Sequence, residues 1–292
     1  MIIDGKKIAQ EIQEEIKQSL LNEPHGRPPC LAVLLVGSHP ASKIYIQRKT
    51  QACKEVGIDS IKIELPSSIK ESELLEEIQK LNSNPNVDGI LVQLPLPPQI
   101  DPTAIIRAII PEKDVDGFHP LNVGKMLIGE TDGFFPCTPL GIRVLLEKSQ
   151  IEVTGKHVVI VGRSNIVGKP MAAILMQNNA AGNATVTIVH SKTPNIQEIT
   201  KQADIVILAL GSPLFLKADM IKKDAIVIDV GINKVEDSQR SSGYRLVGDA
   251  DYDHIKDLCS FITPVPGGVG PMTIAMLLSN TFKSYKMRMK IQ

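Results

Sequence analysis

No Cys-x-x-Cys pair occurs in this sequence. Its four cysteines, Cys30, Cys53, Cys137 and Cys259, are scattered along 292 residues. That argues against a disulfide frame and against a zinc site, and predicts reduced thiols in a reducing compartment with no bound metal. Excess charge is missing too, since 32 basic residues balance 32 acidic ones. Without a basic or acidic footprint, neither nucleic acid nor an anionic membrane surface is expected as a partner. No stretch is long and apolar enough to span a bilayer. The opening residues, Met-Ile-Ile-Asp-Gly-Lys-Lys, read as neither a signal peptide nor an Arg-rich, acid-poor transit peptide, so the cytosol is the expected location. Repeats and low-complexity tracts are likewise absent.

What remains is an ordinary globular composition, 43% hydrophobic and 22% charged, in a chain long enough for two domains. Ile8, Ile12, Ile16 and Leu20 recur at every fourth position and predict an amphipathic helix over 6–20. Buried strands are expected at 31–36 and 89–94 and an alternating strand at 60–65, with helices at 40–56, from Ser72 as cap to Leu81, and from Asp101-Pro102. Gly57 suits a C-cap. Thr138-Pro139 starts a helix to about Glu147. Strands at 157–161, 184–189, 204–210 and 225–230 alternate with helices at 171–178 and 195–202. Alternation of this kind implies parallel sheets with helices on their faces, hence an α/β fold. A last helix, 272–286, is expected to pack back on the first domain, and the polar run Lys234 to Gly243 reads as a flexible insert.

The stretch Val158-Val-Ile-Val-Gly-Arg-Ser-Asn-Ile-Val-Gly-Lys-Pro170 carries the clearest chemistry. A β-branched strand meets a glycine turn at Gly162, and Gly168 opens a helix. That is how dinucleotide folds present backbone N–H groups to a pyrophosphate. Ser164 stands where the usual fingerprint has its second glycine, so the generic signature is weak. The following strand ends in His190-Ser-Lys-Thr193, with no carboxylate for a free ribose hydroxyl. With Arg163 in the turn, this chemistry suits a 2′-phosphate, and NADP is expected over NAD. The same residues also read as a plain turn in which Ser191 and Thr193 cap the helix after Pro194.

Ser42, Tyr45 and Lys49 lie three and four residues apart, on one face of a predicted helix. Such a pairing is often only a solvated surface. Three loops add weight: Gln93-Leu-Pro-Leu-Pro97 at a strand end, Asp114-Val-Asp-Gly-Phe118 with two carboxylates, and the rigid Pro264-Val-Pro-Gly-Gly-Val-Gly-Pro271. Together with Pro111-Glu-Lys-Asp-Val-Asp-Gly117, Pro136-Cys-Thr-Pro139 and Gly162-Arg-Ser-x-x-Val-Gly168, these motifs closely resemble the bifunctional methylenetetrahydrofolate dehydrogenase/methenyltetrahydrofolate cyclohydrolase family. The resemblance runs through essentially the whole chain, with the motifs in the family's order.

The resemblance implies two α/β domains with a cleft between them. One is a folate-binding catalytic domain of residues 1–138 plus 272–292; the other is a Rossmann-type NADP-binding domain of residues 139–271. It implies oxidation of 5,10-methylenetetrahydrofolate by NADP⁺, then hydrolysis of the methenyl cation to 10-formyltetrahydrofolate. Lys49 would be the catalytic residue of the hydrolysis. It must be largely neutral beside a cationic carbon, a state that burial and neighbours favour. Gln93 would hold Lys49, Tyr45 would stack on the folate, and Ser42 would support the network. Asp116 would accept hydrogen bonds from the pterin; spacing alone leaves Asp114 equally able. Gly267 and Gly268 would line the folate pocket. Gly162, Arg163, Ser164, Ser191, Gly231, Ile232 and Thr138 would contact NADP. A homodimer formed through the nucleotide domain is also implied. A dehydrogenase without cyclohydrolase activity, or one preferring NAD, is the alternative enzyme. A non-catalytic nucleotide-binding module would leave Tyr45, Lys49, Gln93 and Asp116 without a purpose.

Overall fold

The computed structural model of the chain describes residues 1–22, 26–38, 40–240 and 243–291. It divides into two compact units. The first comprises Gln10–Met126, Glu130–Cys137 and Ile274–Gln292; the second comprises Met1–Ala9, Leu127–Gly129 and Thr138–Thr273.

Helix α1 (Gly5–Asn22) buries Ile12 and Ile16 on the stripe that the four-residue spacing requires. Strand β1 (Cys30–Val36) is apolar and buried along its whole length, as expected of a central parallel strand covered on both faces. Helix α2 (Pro40–Val56), β2 (Asp59–Leu65), α3 (Glu71–Ser83) and β3 (Gly89–Val92) follow. The three strands are parallel in the order β2-β1-β3. The chain leaves β1 to one side for β2 and comes back on its other side for β3. The crevice beyond the carboxyl ends of β1 and β3 is therefore the place where such sheets bind ligands. Ala32, Leu34 and Val36 pack with Leu74, Ile78, Leu81, Ile90, Val92 and Ile105 in one buried cluster. Ile105 belongs to α4 (Pro102–Ala108), whose cap Asp101 accepts from the Thr103 N–H at 2.9 Å.

The opposite end of this sheet is tied by charge. Asp88, fully buried before β3, accepts from both Arg27 guanidinium nitrogens at 2.7 and 2.9 Å. It also accepts from Arg288 at 2.7 Å and from the Cys30 N–H at 2.9 Å. Nearby, the buried Lys113 ammonium donates to the carbonyls of Leu81, Asn82 and Asn84 at 2.7–2.8 Å, closing the carboxyl end of α3.

Helices α5 (Pro120–Ile128) and α6 (Cys137–Lys148) precede the second sheet. That sheet contains β4 (His157–Val161), β5 (Thr185–Val189), β6 (Ile205–Leu208) and β7 (Ile226–Asp229), between which lie α7 (Gly168–Leu175) and α8 (Ile196–Lys201). An antiparallel pair, β8 (Asn233–Glu236) and β9 (Tyr244–Val247), then α9 (Tyr252–Ile255), β10 (Phe261–Ile262) and α10 (Val269–Met289), complete the chain. The large sheet is parallel throughout, in the order β10-β7-β6-β4-β5. Its strand order reverses at β4, so its ligand crevice lies beyond the carboxyl ends of β4 and β6.

Several expectations need correction. Ser72 is not the cap of α3. Lys70 holds that position, and the Glu73 carboxylate reaches back to its N–H at 2.8 Å. Strand β3 ends at Val92, two residues early. Gln93 still donates to the Leu34 carbonyl at 2.9 Å, but Pro95 and Pro97 have no N–H with which to extend a ladder. Helix α7 starts at Gly168 and not at Met171, and stops at Leu175. Of the run Lys234 to Gly243, Lys234, Val235 and Glu236 pair in the β8–β9 ribbon, with the Lys234 ammonium 4.5 Å from the Tyr244 ring centre. Ser241 and Ser242 lie outside the described residues. Helix α5 has no counterpart in the sequence reading. The last helix does pack within the first unit from Ile274 onward.

Candidate functional site

Helix α2 follows the central strand β1, so its buried stripe lies over the ligand-binding edge of the first sheet. Ser42, Ile46, Lys49 and Cys53 are all buried on that stripe, while Tyr45 lies at its margin with 38% of its surface exposed. Lys49 is a buried lysine with an uncharged partner. Its Nζ lies 3.0 Å from Gln93 Oε1, just past the end of β3. The Gln93 amide is oriented by its own Nε2, which donates to the Leu94 carbonyl at 2.8 Å. The oxygen is thereby directed at the lysine.

The two carboxylates of Asp114-Val-Asp116 have different surroundings. Asp114 Oδ2 accepts from the His119 N–H and Asn122 Nδ2, both at 2.8 Å, and Oδ1 accepts from the Phe118 N–H at 3.3 Å. It is the organiser of the turn into α5. Burial pushes its pKa up to about 7, against these three donors. Asp116 has no such set of backbone donors. Burial raises its pKa, with Lys49 and a hydrogen bond from the Cys137 thiol opposing. Its environment is braced from α10, where Asn280 Nδ2 donates to the carbonyls of Val115 at 2.8 Å and Phe135 at 3.1 Å. Gly117, at φ +75°, has room only for hydrogen, since a Cβ would stand 2.5 Å from the Phe135 carbonyl carbon. Lys49, Gln93 and Asp116 thus come together in one unit, with Ser42 and Tyr45 beside them on α2.

In the second unit, Gly162 follows β4 at the point where strand order reverses. Its φ is +130°, and a Cβ would lie 2.4 Å from the Ala209 carbonyl oxygen beyond β6. A Cβ on Gly168 would lie 2.2 Å from the Gly162 carbonyl oxygen. Both glycines are therefore required by backbone packing before any ligand is considered. Ser164 replaces a glycine for a different reason: its hydroxyl oxygen accepts from the N–H groups of Val167 at 3.0 Å and Gly168 at 3.4 Å, just before α7. Its own O–H remains a donor. The exposed Arg163 stands beside it.

The turn after β5 separates two readings of its hydroxyls. Thr193 Oγ accepts from the His190 N–H at 3.0 Å, so it shapes the turn. The helix cap is Asn195, not Ser191 or Thr193. Ser191 is exposed, and its hydroxyl makes no hydrogen bond among the described residues.

Gly231 and Ile232 follow β7, and Ile232 is 48% exposed. Thr138 Oγ lies 2.9 Å from Thr273 Oγ. Gly267 has φ +111° and its carbonyl accepts from the Lys6 N–H at 3.0 Å. A Cβ on Gly268 would lie 2.7 Å from the Pro264 carbonyl oxygen, and one on Gly5 would lie 1.9 Å from the Gly268 oxygen. The glycine loop is thus shaped first by its packing on the start of α1. Asp229, Asp249 and Asn280 went unnoticed in the sequence, and Cys137 was read only as a reduced thiol within a motif. The only signal for the first two was a carboxylate at or near the end of an apolar strand.

Among the described residues, no helix is long and apolar enough to cross a membrane, and no cluster of histidine, cysteine, aspartate and glutamate could hold a metal ion. A parallel sheet with a glycine turn at its reversal point, and a buried lysine at the edge of another, define a dinucleotide-dependent α/β enzyme. Comparison with known proteins gives the particular family. Residues 3–116 match the catalytic domain of tetrahydrofolate dehydrogenase/cyclohydrolase, and residues 136–289 match its NAD(P)-binding domain. The chain is 64% identical to the bifunctional protein FolD of Protochlamydia amoebophila, over 98% of this chain and 97% of that one. The crystal structure of the Campylobacter jejuni bifunctional enzyme FolD superposes with a TM-score of 0.92 at 49% identity, covering 99% of both chains. The Trypanosoma brucei dehydrogenase-cyclohydrolase, solved with NADP cofactor and inhibitor, has a TM-score of 0.92 at 40% identity, covering 98% of this chain and 97% of that one. The chain belongs to the tetrahydrofolate dehydrogenase/cyclohydrolase family. It is a bifunctional enzyme that oxidises 5,10-methylenetetrahydrofolate with NADP and hydrolyses the methenyl product to 10-formyltetrahydrofolate.

Proposed function

We propose that Lys49 drives the hydrolytic step, supported above all by its buried pairing with the neutral Gln93 at 3.0 Å. An amide oxygen takes one N–H of a neutral amine and leaves the nitrogen lone pair free. That lone pair accepts a proton from the water that adds to the methenyl carbon, and the proton is returned as the ring C–N bond opens. Tyr45, at the exposed margin of α2, stacks on the folate. Ser42 supports the same polar network. Asp116 accepts from the N–H groups of the pterin, since Asp114 is committed to its turn. Gly267 and Gly268 present backbone to the substrate. The folate-binding part is assigned to residues 1–138 plus 272–292 and the nucleotide-binding part to residues 139–271.

The donor set beyond β4 fits a phosphorylated dinucleotide: Arg163 is exposed, the Ser164 O–H is unused, and the Ser191 hydroxyl is uncommitted. Arg163 and Ser164 hold phosphate oxygens, Ser191 meets the 2′-phosphate, and Gly162, Gly231, Ile232 and Thr138 complete the cofactor contacts. NADP⁺ supplies the hydride acceptor. The protein's own contribution to that step is orientation, because hydride transfer needs no acid or base. The test follows reduced cofactor with NADP⁺ and with NAD⁺ as 5,10-methylenetetrahydrofolate is consumed. Ser191→Asp is expected to weaken NADP⁺ by charge repulsion, with little effect on NAD⁺. Unchanged NADP⁺ affinity in that variant would move the 2′-phosphate site elsewhere.

The enzyme is further assigned to the cytosol, a placement supported by four unpaired thiols. It is assigned as a homodimer built through the nucleotide-binding part. Sedimentation equilibrium is expected to give twice the chain mass, and a monomer at micromolar concentration would overturn the assignment.

A further inference from the structure

Two buried carboxylates beyond the carboxyl ends of β6 and β7 make no ion pair among the described residues. Asp249 is fully buried. Its Oδ2 accepts from the N–H groups of Leu210 at 3.0 Å and Gly211 at 2.9 Å, in the loop after β6. Its Oδ1 accepts from Asn233 Nδ2 at 2.9 Å, at the start of β8. Asp229, the last residue of β7, accepts from the N–H groups of Gly231 at 2.9 Å, Asp249 at 3.0 Å and Ala250 at 2.8 Å. The Asp229 N–H itself donates to Thr263 Oγ at 2.7 Å. The two side chains therefore join the loop after β6, the turn after β7 and the segment after β9 into one unit. The fit is tight. A Cβ on Gly231 would stand 2.3 Å from Asp249 Oδ1, and one on Gly248 would stand 1.9 Å from Asp229 Oδ2.

We propose that Asp249 is a positioning residue for the cofactor: it draws the Leu210, Gly211 and Asn233 donors inward and so fixes the backbone of Gly231 and Ile232 where the nucleotide binds. The reasoning is geometric. A carboxylate that accepts from two successive N–H groups fixes the course of the loop after β6, beside the reversal of strand order, while the Leu210 side chain packs on the core. Among the described residues its hydrogen bonds come from backbone and one amide. Asp249 holds Asn233 directly after Ile232, and Asp229 holds the Gly231 N–H, so the two carboxylates set the exit and the entry of the segment. This inference rests on the reading that Gly231 and Ile232 line the cofactor.

The test compares Asp249→Asn with Asn233→Ala. Each is titrated with NADP⁺, and each is assayed for hydrolysis of methenyltetrahydrofolate without nucleotide. An asparagine keeps one acceptor oxygen but turns an NH₂ toward donors. Asp249→Asn is therefore expected to weaken NADP⁺ by about tenfold or more, and Asn233→Ala by roughly threefold. Nucleotide-free hydrolysis and the KM for folate are expected to stay near wild type, a split that general unfolding would not give. Unchanged NADP⁺ affinity in both variants, with Ser191→Asp still weakened, would overturn the positioning role and leave the cofactor site intact. Unchanged affinity in all three, and in Arg163→Ala, would remove the cofactor reading and this inference with it. If Asp249→Asn loses hydrolysis as well, the milder Asn233→Ala decides: wild-type NADP⁺ affinity there overturns the proposal.

Discussion

Replacing Lys49 by methionine is expected to slow hydrolysis of methenyltetrahydrofolate by about 10²–10⁴-fold, the range over which a positioned proton-transfer group usually acts. Methionine keeps the length and apolar stem of the side chain, so α2 retains its packing against the sheet. Substrate binding is expected to change little, with a KM within about threefold of wild type, because the lysine acts on the transition state and not on the ground state. Hydride transfer, which requires no proton transfer, is expected to fall much less than hydrolysis. The methenyl species should then persist after NADPH forms, and its absorbance decay is the measurement. Gln93→Leu makes a second, graded test. It leaves the amine in place but takes away the acceptor 3.0 Å away, so the lysine is no longer held. Its hydrolysis is expected to lie between wild type and Lys49→Met. A Lys49→Met enzyme that hydrolyses at nearly the wild-type rate would remove the lysine from the mechanism.

The parts of this site that were legible in the sequence are those set by local geometry. Ser42, Tyr45 and Lys49 share a helix, so their spacing alone put them on one side. Gly162 follows an apolar strand, so its turn could be read locally, whereas its place at the reversal of strand order comes from the pairing of the strands. What was not legible depends on pairings across the chain. Asn280 braces the loop before Cys137 from 143 residues away, and nothing local in α10 marks it except a polar residue on an apolar face. Asp229 and Asp249 are separated by the β8–β9 ribbon, whose charged sequence lacks the alternation that marks a half-buried strand. Helix α5 was hidden by Gly124 in its middle, an intrinsically poor helix residue. Asp114 and Asp116 were equivalent by spacing. Only the donors around Asp114 distinguish the carboxylate that builds the turn from the one left for a ligand.

The largest loss of stability is expected from Asp88→Ala, at the end of the first sheet remote from the lysine. Asp88 is fully buried and takes four hydrogen bonds, three of them from guanidinium nitrogens of Arg27 and Arg288. These arginines lie far apart in sequence, one just before β1 and one in the last turns of α10, so a single carboxylate joins both ends of the unit. Arg27 also lies 5.2 Å from the Tyr285 ring centre, and the Tyr285 hydroxyl donates to the Arg27 carbonyl at 2.8 Å. Alanine would leave two partly buried cations facing each other with no anion, and the Cys30 N–H without its acceptor. Breaking a buried pair in this way costs about 3–5 kcal/mol. For a chain of this size that corresponds to a melting midpoint lower by roughly 10 °C. Arg288→Met is expected to cost less, because Arg27 still faces the carboxylate from two nitrogens. Below the lowered transition, Asp88→Ala is expected to keep both activities, since Gln93, just past the carboxyl end of β3, and Lys49, held to it from α2, are at the other edge of the sheet. Calorimetry and the two assays at low temperature separate these effects. A midpoint unchanged within 2–3 °C would mean that the arginines find other anions and that the hub holds nothing together.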